Sequence, residues 1–266
     1  MLCMVCTLLA LLLVTRLLYV LFRVHCTETP PSPSNAALSP PVRLLTVAGS
    51  GGHTAELLQL LSAATSSAPS SNVPRVNYSP RHYIVADTDH MSQDKIEQFE
   101  KESGATVVIS KIPRAREVGQ SYLTSVLTTL YSQLLCVPHV LRARPDLLLV
   151  NGPGTCIPVC VMVFVLRVLG LCKGRIVYVE SICRVETVSL SAKILVWFAD
   201  HVLVQWPQLA EKTFRCRYIG RLVSWRSLYY FPIFDFFIHS QIIVNWFIIV
   251  QFCYSWLYSQ FSNFDK

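Results

Sequence analysis

With 266 residues, the chain can bury one sizeable core, or one domain plus a membrane segment. It is 52% apolar and only 15% charged, against roughly 25% charged in a typical soluble domain, and is too large and apolar to need a disulfide framework. The net charge of +7 suits anionic headgroups or phosphates without specifying either, and no nucleic-acid partner is expected.

Residues 1–22 are apolar except for Arg16. About 20 residues at a rise of 1.5 Å cross a hydrocarbon core of roughly 30 Å, so a transmembrane anchor over residues 1–24 is expected. A cleaved signal peptide would carry positive charge before the apolar run and a small-residue cleavage site after it. Here Arg16 and Arg23 lie toward the end of the run and beyond it, which argues for a lumenal N-terminus and a cytosolic remainder. Residues 25–41, rich in proline, read as an extended tether.

From residue 42 short apolar runs alternate with helical ones. Strands are expected at 43–48, 81–86 and 105–110, with a helix over 54–64 and another capped by Ser92 and running to about Glu102. Residues 65–80, with their serines and prolines, read as a loop. Leu123, Val126, Leu127, Leu130, Tyr131, Leu134 and Leu135 share one helical face, and Pro138 is expected to kink or end that helix. The runs 146–150 and 175–179 have the continuous apolar character of strands buried on both faces. Cys156–Leu171 between them is short and contains Arg167, so it reads as a buried domain helix rather than a second span. The alternation continues through 190–198, 201–205 and 217–219, which predicts an α/β fold with a Rossmann-like doubly wound parallel sheet over residues 42–223.

The ten cysteines are scattered. Cys3 and Cys6 have no second ligand pair, Cys156 and Cys160 fit neighbours on one helix face, and neither a metal site nor a cofactor is expected. The sequon Asn77-Tyr78-Ser79, followed by Pro80, is expected to be unused.

Polar and glycine clusters follow several strands: Gly49-Ser50-Gly51-Gly52-His53, Asp87-Thr88-Asp89, Asn151-Gly152-Pro153-Gly154 and Glu180-Ser181. Each alone is ordinary turn chemistry, but four on one edge of an open α/β sheet point to a ligand site. In the first, glycines let backbone N–H groups approach a ligand, and the helix that follows favours an anion such as a diphosphate. It is neither a dinucleotide fingerprint, because Thr54 stands where the last glycine belongs, nor a P-loop, because no lysine follows. With no acidic residue about 20 positions on, a nucleotide-cofactor oxidoreductase is disfavoured.

The segments VAGSGGHTAE (47–56), YIVADTDHM (83–91), IPRAREVGQ (112–120), PDLLLVNGPGTCIPV (145–159) and YVESICRVET (178–187), with VQWP (204–207) and YIGRLV (218–223), closely resemble the membrane-anchor subunit of the endoplasmic-reticulum UDP-N-acetylglucosamine transferase. The resemblance implies the acceptor-side half of a GT-B glycosyltransferase. A soluble catalytic subunit would supply the half that binds UDP-GlcNAc. Together they would add the second GlcNAc, in β-1,4 linkage and with inversion, to dolichol-diphosphate-GlcNAc, and neither half is expected to work alone. The implied location is the endoplasmic reticulum membrane, single-pass with the domain on the cytosolic side, and the nuclear envelope as a second site. The preceding enzyme of the pathway is a further expected partner.

On this reading His53 is the leading candidate for general base on the acceptor hydroxyl, or for orienting its diphosphate, with capping or packing as the bland alternative. Glu180 is a second candidate base or a sugar-hydroxyl acceptor, against an ion pair with Arg184 or Arg116. Gly49, Ser50, Gly51 and Gly52 would meet the diphosphate, as would Arg114 and Arg116 unless they are merely solvated. Asn151 and Gly152 would shape the acceptor floor or form a plain turn, and Asp87 and Asp89 are expected to cap the next helix.

The family pattern ends shortly after YIGRLV, at an end that helps dock the soluble subunit, whereas residues 224–266 continue as an atypical apolar, aromatic tail. Ile242–Phe252 is strongly apolar, but Asp235, His239, Gln241 and Asn245 interrupt its surroundings. An interfacial helix, a second span and the product of an alternative transcript or unspliced intron all remain open for the tail, and partner docking with them. A membrane adaptor with no part in the chemistry is the alternative to the transferase reading.

Overall fold

A computed structural model of the chain describes residues 2–26, 41–65, 77–115, 120–152, 154–218 and 220. The tail 224–266, Arg116, Pro153 and nearly all of the proline-rich tether lie outside the described residues.

Seven parallel strands, β1 (Val42–Val47), β2 (Tyr78–Ala86), β3 (Val107–Ile112), β4 (Leu147–Asn151), β5 (Arg175–Val179), β6 (His201–Val204) and β7 (Cys216–Tyr218), form one sheet. Its order is β3-β2-β1-β4-β5-β6-β7. The chain winds outward from β1 in one direction and then from β4 in the other. The carboxyl ends of these neighbours, paired through Val47 and Val150, are the crevice where open α/β sheets bind ligands.

Central strands are apolar on both faces because helices cover both. Leu44 and Ala48 face one core layer with Leu57, Leu58 and Leu61 of α2 (Gly52–Thr65) and Ile96 of α3 (His90–Ser103). Leu45 and Val47 face the other layer, with Cys136 and Val140 of α4 (Tyr122–Ala143) and Val159, Cys160 and Val163 of α5 (Cys156–Val168). Two shorter helices, α6 (Leu190–Leu195) and α7 (Pro207–Lys212), complete this layer. α5 is thus a buried core helix. Burial pushes the Cys156 thiol up to about 12 and the Cys160 thiol well above its ordinary value, so neither is a reactive thiolate.

Three local expectations need correcting. Strand β2 starts at Tyr78, inside the expected loop, because Val42 and Leu44 of β1 pair with Tyr78 and Arg81. Strand β3 covers 107–112 rather than 105–110, since α3 runs to Ser103 and closes on Gly104 at φ 64°. The cap of α3 is Asp89, whose Oδ1 accepts from Ser92 N at 3.1 Å. Ser92 lies one turn inside, where its hydroxyl donates to Asp89 Oδ2 at 2.6 Å and pairs with Thr54 Oγ1 at 2.7 Å. Asp89 thereby takes the capping role foreseen for it.

Pro138, expected to kink or end α4, lies inside the helix, which continues to Ala143. Its apolar stripe faces outward, with Leu127 and Leu134 each 69% exposed and Val126, Leu130 and Tyr131 more than half exposed. The buried side is built from Val140 and the small residues Ser125, Ser132, Cys136 and Ala143, and α4 packs on α5. A strong helical period normally marks the core face; here it marks a surface.

Helix α1 (Leu2–Cys26) is long and apolar enough to cross a membrane. Val20 and Val24 in its last turns are buried, and α1 contacts α5. Arg215, held at φ 59°, donates from Nη2 to the Val24 carbonyl at 2.6 Å and to the Ala199 carbonyl at 3.2 Å. The end of the apolar helix is therefore clamped to the α/β domain.

Candidate functional site at the sheet's switch point

Strand β1 ends at Val47, and Ala48 to Gly51 turn the chain into α2. Gly51 sits at φ 68°, a conformation natural to glycine, and the first turn of a helix such as α2 favours an anion. The Gly49 carbonyl accepts from the Thr54 hydroxyl, whose oxygen lies 2.7 Å from Ser92 Oγ of α3. These bonds anchor the loop to α3.

His53 occupies the first turn of α2. Its Nδ1 lies 3.1 Å from Asn151 Oδ1, at the end of β4. The other end of the same amide, Asn151 Nδ2, donates to Glu56 Oε2 at 2.9 Å. Glu56 Oε1 in turn accepts from the Ser181 hydroxyl at 2.8 Å. A carboxylate only accepts, so Glu56 must face the Asn151 NH2, which leaves the Asn151 oxygen toward His53. That oxygen requires an N–H on His53 Nδ1, and the lone pair is consequently on Nε2. Glu56, Asn151 and Ser181 are buried, whereas His53 is partly exposed.

Gly152 makes room for the ring. It lies at φ 76°, and a Cβ there would stand 2.3 Å from His53 Nδ1. Its carbonyl, at 3.3 Å, shares the one Tyr178 hydroxyl hydrogen with Glu180 Oε1, and the Ser189 hydroxyl donates to Tyr178 Oη at 2.9 Å.

Glu180, at the end of β5, is 1% exposed. Its Oε1 accepts from Ser181 N at 3.1 Å and Tyr178 Oη at 3.2 Å, and its Oε2 accepts from Ser189 N at 2.8 Å. Among the described residues it forms no ion pair with Arg184. Its bonds are those of a strut that closes the 181–189 loop.

Ser50, His53, Arg114, Gly152, Glu180 and Arg184 line a cavity of about 890 Å³, together with Val126 and Leu130 of the α4 stripe and Leu190 and Ile194 of α6. The volume lies within the range of small-molecule sites, roughly 300–1,000 Å³. Its lining joins polar and cationic groups to apolar side chains. Of the sequence candidates, Ser50, His53, Arg114, Gly152 and Glu180 reach the cavity, and Asn151 stands directly behind His53.

Glu56 and Ser181 carry no role in the sequence reading. The signal for Glu56 was present: an acidic residue one helical turn beyond His53, on a helix buried from Thr54 to Leu58. A charge on such a face must be satisfied internally.

The model for the family described as oligosaccharide biosynthesis protein Alg14 like matches residues 44–222. The UDP-N-acetylglucosamine transferase subunit ALG14 of Mus musculus is 50% identical over 191 residues, covering 68% of this chain and 83% of its own length. The subunit of the same name from Homo sapiens is 49% identical over 188 residues, covering 68% and 82%. Among solved structures, MurG of Acinetobacter baumannii is similar with a TM-score of 0.46 at 14% identity; the match covers 70% of this chain and about half of that one (48%). The family match spans most of the chain and contains every residue of the site just described, so the chain belongs to the Alg14-like family of oligosaccharide biosynthesis proteins.

Proposed function

We propose that the chain is the membrane-anchoring, acceptor-binding subunit of a two-subunit UDP-GlcNAc transferase that adds a second, β-1,4-linked GlcNAc to GlcNAc-diphosphate-dolichol. The observation that carries this reading is the Glu56–Asn151–His53 chain of hydrogen bonds at the switch point, which leaves His53 Nε2 free to take a proton. The amphiphilic cavity supports the class of acceptor. Its glycine loop and Arg114 suit a diphosphate, and its wall of Val126, Leu130, Leu190 and Ile194 suits the start of a polyisoprenoid chain.

In the step proposed, His53 Nε2 takes the proton of the acceptor 4-hydroxyl as its oxygen bonds to C1 of the donor GlcNAc. The C1–oxygen bond to the β-phosphate breaks, UDP leaves, and the configuration at C1 inverts. The donor nucleotide is held by the soluble partner subunit, so this chain supplies base, acceptor floor and tether. Asn151 and Glu56 position His53, and Glu180 keeps the 181–189 loop against the floor.

The exposed apolar run of α1 supports a single-pass anchor in the endoplasmic reticulum membrane, and Arg16 and Arg23 support a domain on the cytosolic side. The test is GlcNAc transfer to a short-chain lipid diphosphate acceptor by membranes containing this chain, the soluble partner, or both. Transfer with both and with neither alone is expected. Transfer by this chain alone would overturn the divided-enzyme reading.

A further inference from the structure

A second cavity, of about 340 Å³, lies at the opposite edge of the sheet, where β5 and β6 begin. Arg16 and Arg23 of α1 enter it from one side, and Arg167, Lys173, Arg175 and His201 from the domain. Asp200 is the one carboxylate in the lining, set against five guanidinium or ammonium groups. It is already engaged, its Oδ2 accepting from Arg167 Nη1 at 2.7 Å and from Ile176 N at 2.8 Å. Arg167 is left with two buried donors, Nε and Nη2, that have no hydrogen-bond partner among the described residues. Those two atoms are closed off from the cavity, whereas Arg16, Arg23, Lys173 and Arg175 form no ion pair among the described residues, and an incoming anion complements their charge.

The position of α1 identifies the anion. Residues 4–19 of the helix are exposed, whereas Val20 and Val24 are docked on the domain. About 20 residues of the helix cross the hydrocarbon core, which brings the bilayer surface to its last turns. Arg16, whose guanidinium lies 5.5 Å from the Tyr19 ring centre, reaches that level by extending its side chain toward it. Arg and Tyr at the end of an apolar helix mark the headgroup level of a bilayer. We propose that this cavity binds the phosphate-bearing headgroup of an anionic phospholipid, fixing the domain against the membrane by a contact separate from the acceptor site. A choline headgroup would add a cation to a cationic cavity, so the site discriminates by charge. The proposal rests on the reading of α1 as a membrane anchor.

The test uses the full chain in phosphatidylcholine vesicles containing a minor share of phosphatidylinositol. After gentle detergent extraction, native mass spectrometry reads the lipids that stay bound. Phosphatidylinositol should be retained about tenfold above its share of the vesicle. Arg16→Gln combined with Arg175→Gln, both at exposed positions, should abolish the enrichment while leaving the protein folded and resistant to carbonate extraction. Equal retention of both lipids, or enrichment that survives in the double variant, would overturn the headgroup site while leaving the anchor standing. Inorganic phosphate or glycerophosphoinositol binding the detergent-solubilised protein as tightly as the lipid would reassign the site to a soluble phosphate and overturn the lipid proposal. Release of the wild-type chain by carbonate would overturn the anchor itself, and this proposal with it.

Discussion

Gly152 and His53 are packed so closely that a Cβ on Gly152 would stand 2.3 Å from His53 Nδ1. The glycine at the end of β4 thus sets where the imidazole at the start of α2 can lie, across the junction at which the sheet reverses direction. Gly152→Ala must push the ring aside and hold alanine at φ 76°, a strain of about 1–3 kcal/mol. Expected are a folded protein with a lower melting temperature and transfer, in complex with the partner subunit, reduced by roughly 100-fold. Wild-type turnover in this variant would show that the ring position is immaterial.

Glu56 does not touch His53, yet it determines which His53 nitrogen carries hydrogen, through the Asn151 amide. Glu56→Gln can present an N–H to Asn151 and permit the reversed amide, which removes the preference for an Nε2 lone pair. The charge-assisted bond is worth about 1.5–3 kcal/mol, so kcat should fall roughly 10- to 100-fold. KM for the acceptor should move little. Glu56→Asp should recover part of the loss. A change in KM alone would assign Glu56 to substrate binding instead.

These two residues also mark how far the sequence could be read. The alternation of strands and helices predicted the doubly wound sheet, because apolar period and glycine turns are local signals. The glycine loop and Asn151-Gly152 were recognisable for the same reason. Glu56 was not, since its role depends on Ser181 and Asn151, which only the fold brings to it. Ser92 passed for the cap of α3 because a serine before a helical run fits that pattern, whereas Asp89 three residues earlier fits it equally well. The outward stripe of α4 was legible as a period but not as a direction, because nothing local announces that serines and cysteines will face the core.

That stripe gives a prediction of its own. Leu127 and Leu134 are 69% exposed, so changing both to serine should alter stability by no more than about 0.5 kcal/mol per site. In the complex, transfer to a long polyisoprenoid acceptor should fall relative to transfer to a short-chain analogue, because the stripe continues the apolar wall formed by Val126 and Leu130. Equal losses on both acceptors would mean that the stripe has no part in holding the lipid chain.

At the amino edge of the sheet, the hydrogen bond from the Arg43 side chain holds the Asp146 carboxyl below its usual range. The bond from Arg43 Nη2 is 2.8 Å. A depressed folded-state pKa stabilises the fold above the unfolded value of about 3.9 and loses that contribution as pH falls through the folded value. Both side chains are well exposed, so the effect is small, under about 1 kcal/mol. Asp146→Asn should lower the melting temperature slightly at neutral pH, and its curve should converge on that of the wild type below about pH 4. A gap that widens in acid would contradict this.

The most direct measurement is the turnover of His53→Ala in the assembled complex, with co-purification of the soluble subunit confirming that the partner still docks. Loss of the base should reduce kcat by roughly 100- to 10,000-fold, with acceptor binding largely kept. Turnover equal to wild type, with the partner bound, would contradict the assignment of proton transfer to His53. If Glu180→Gln were equally silent, the chain would be left as a tether alone.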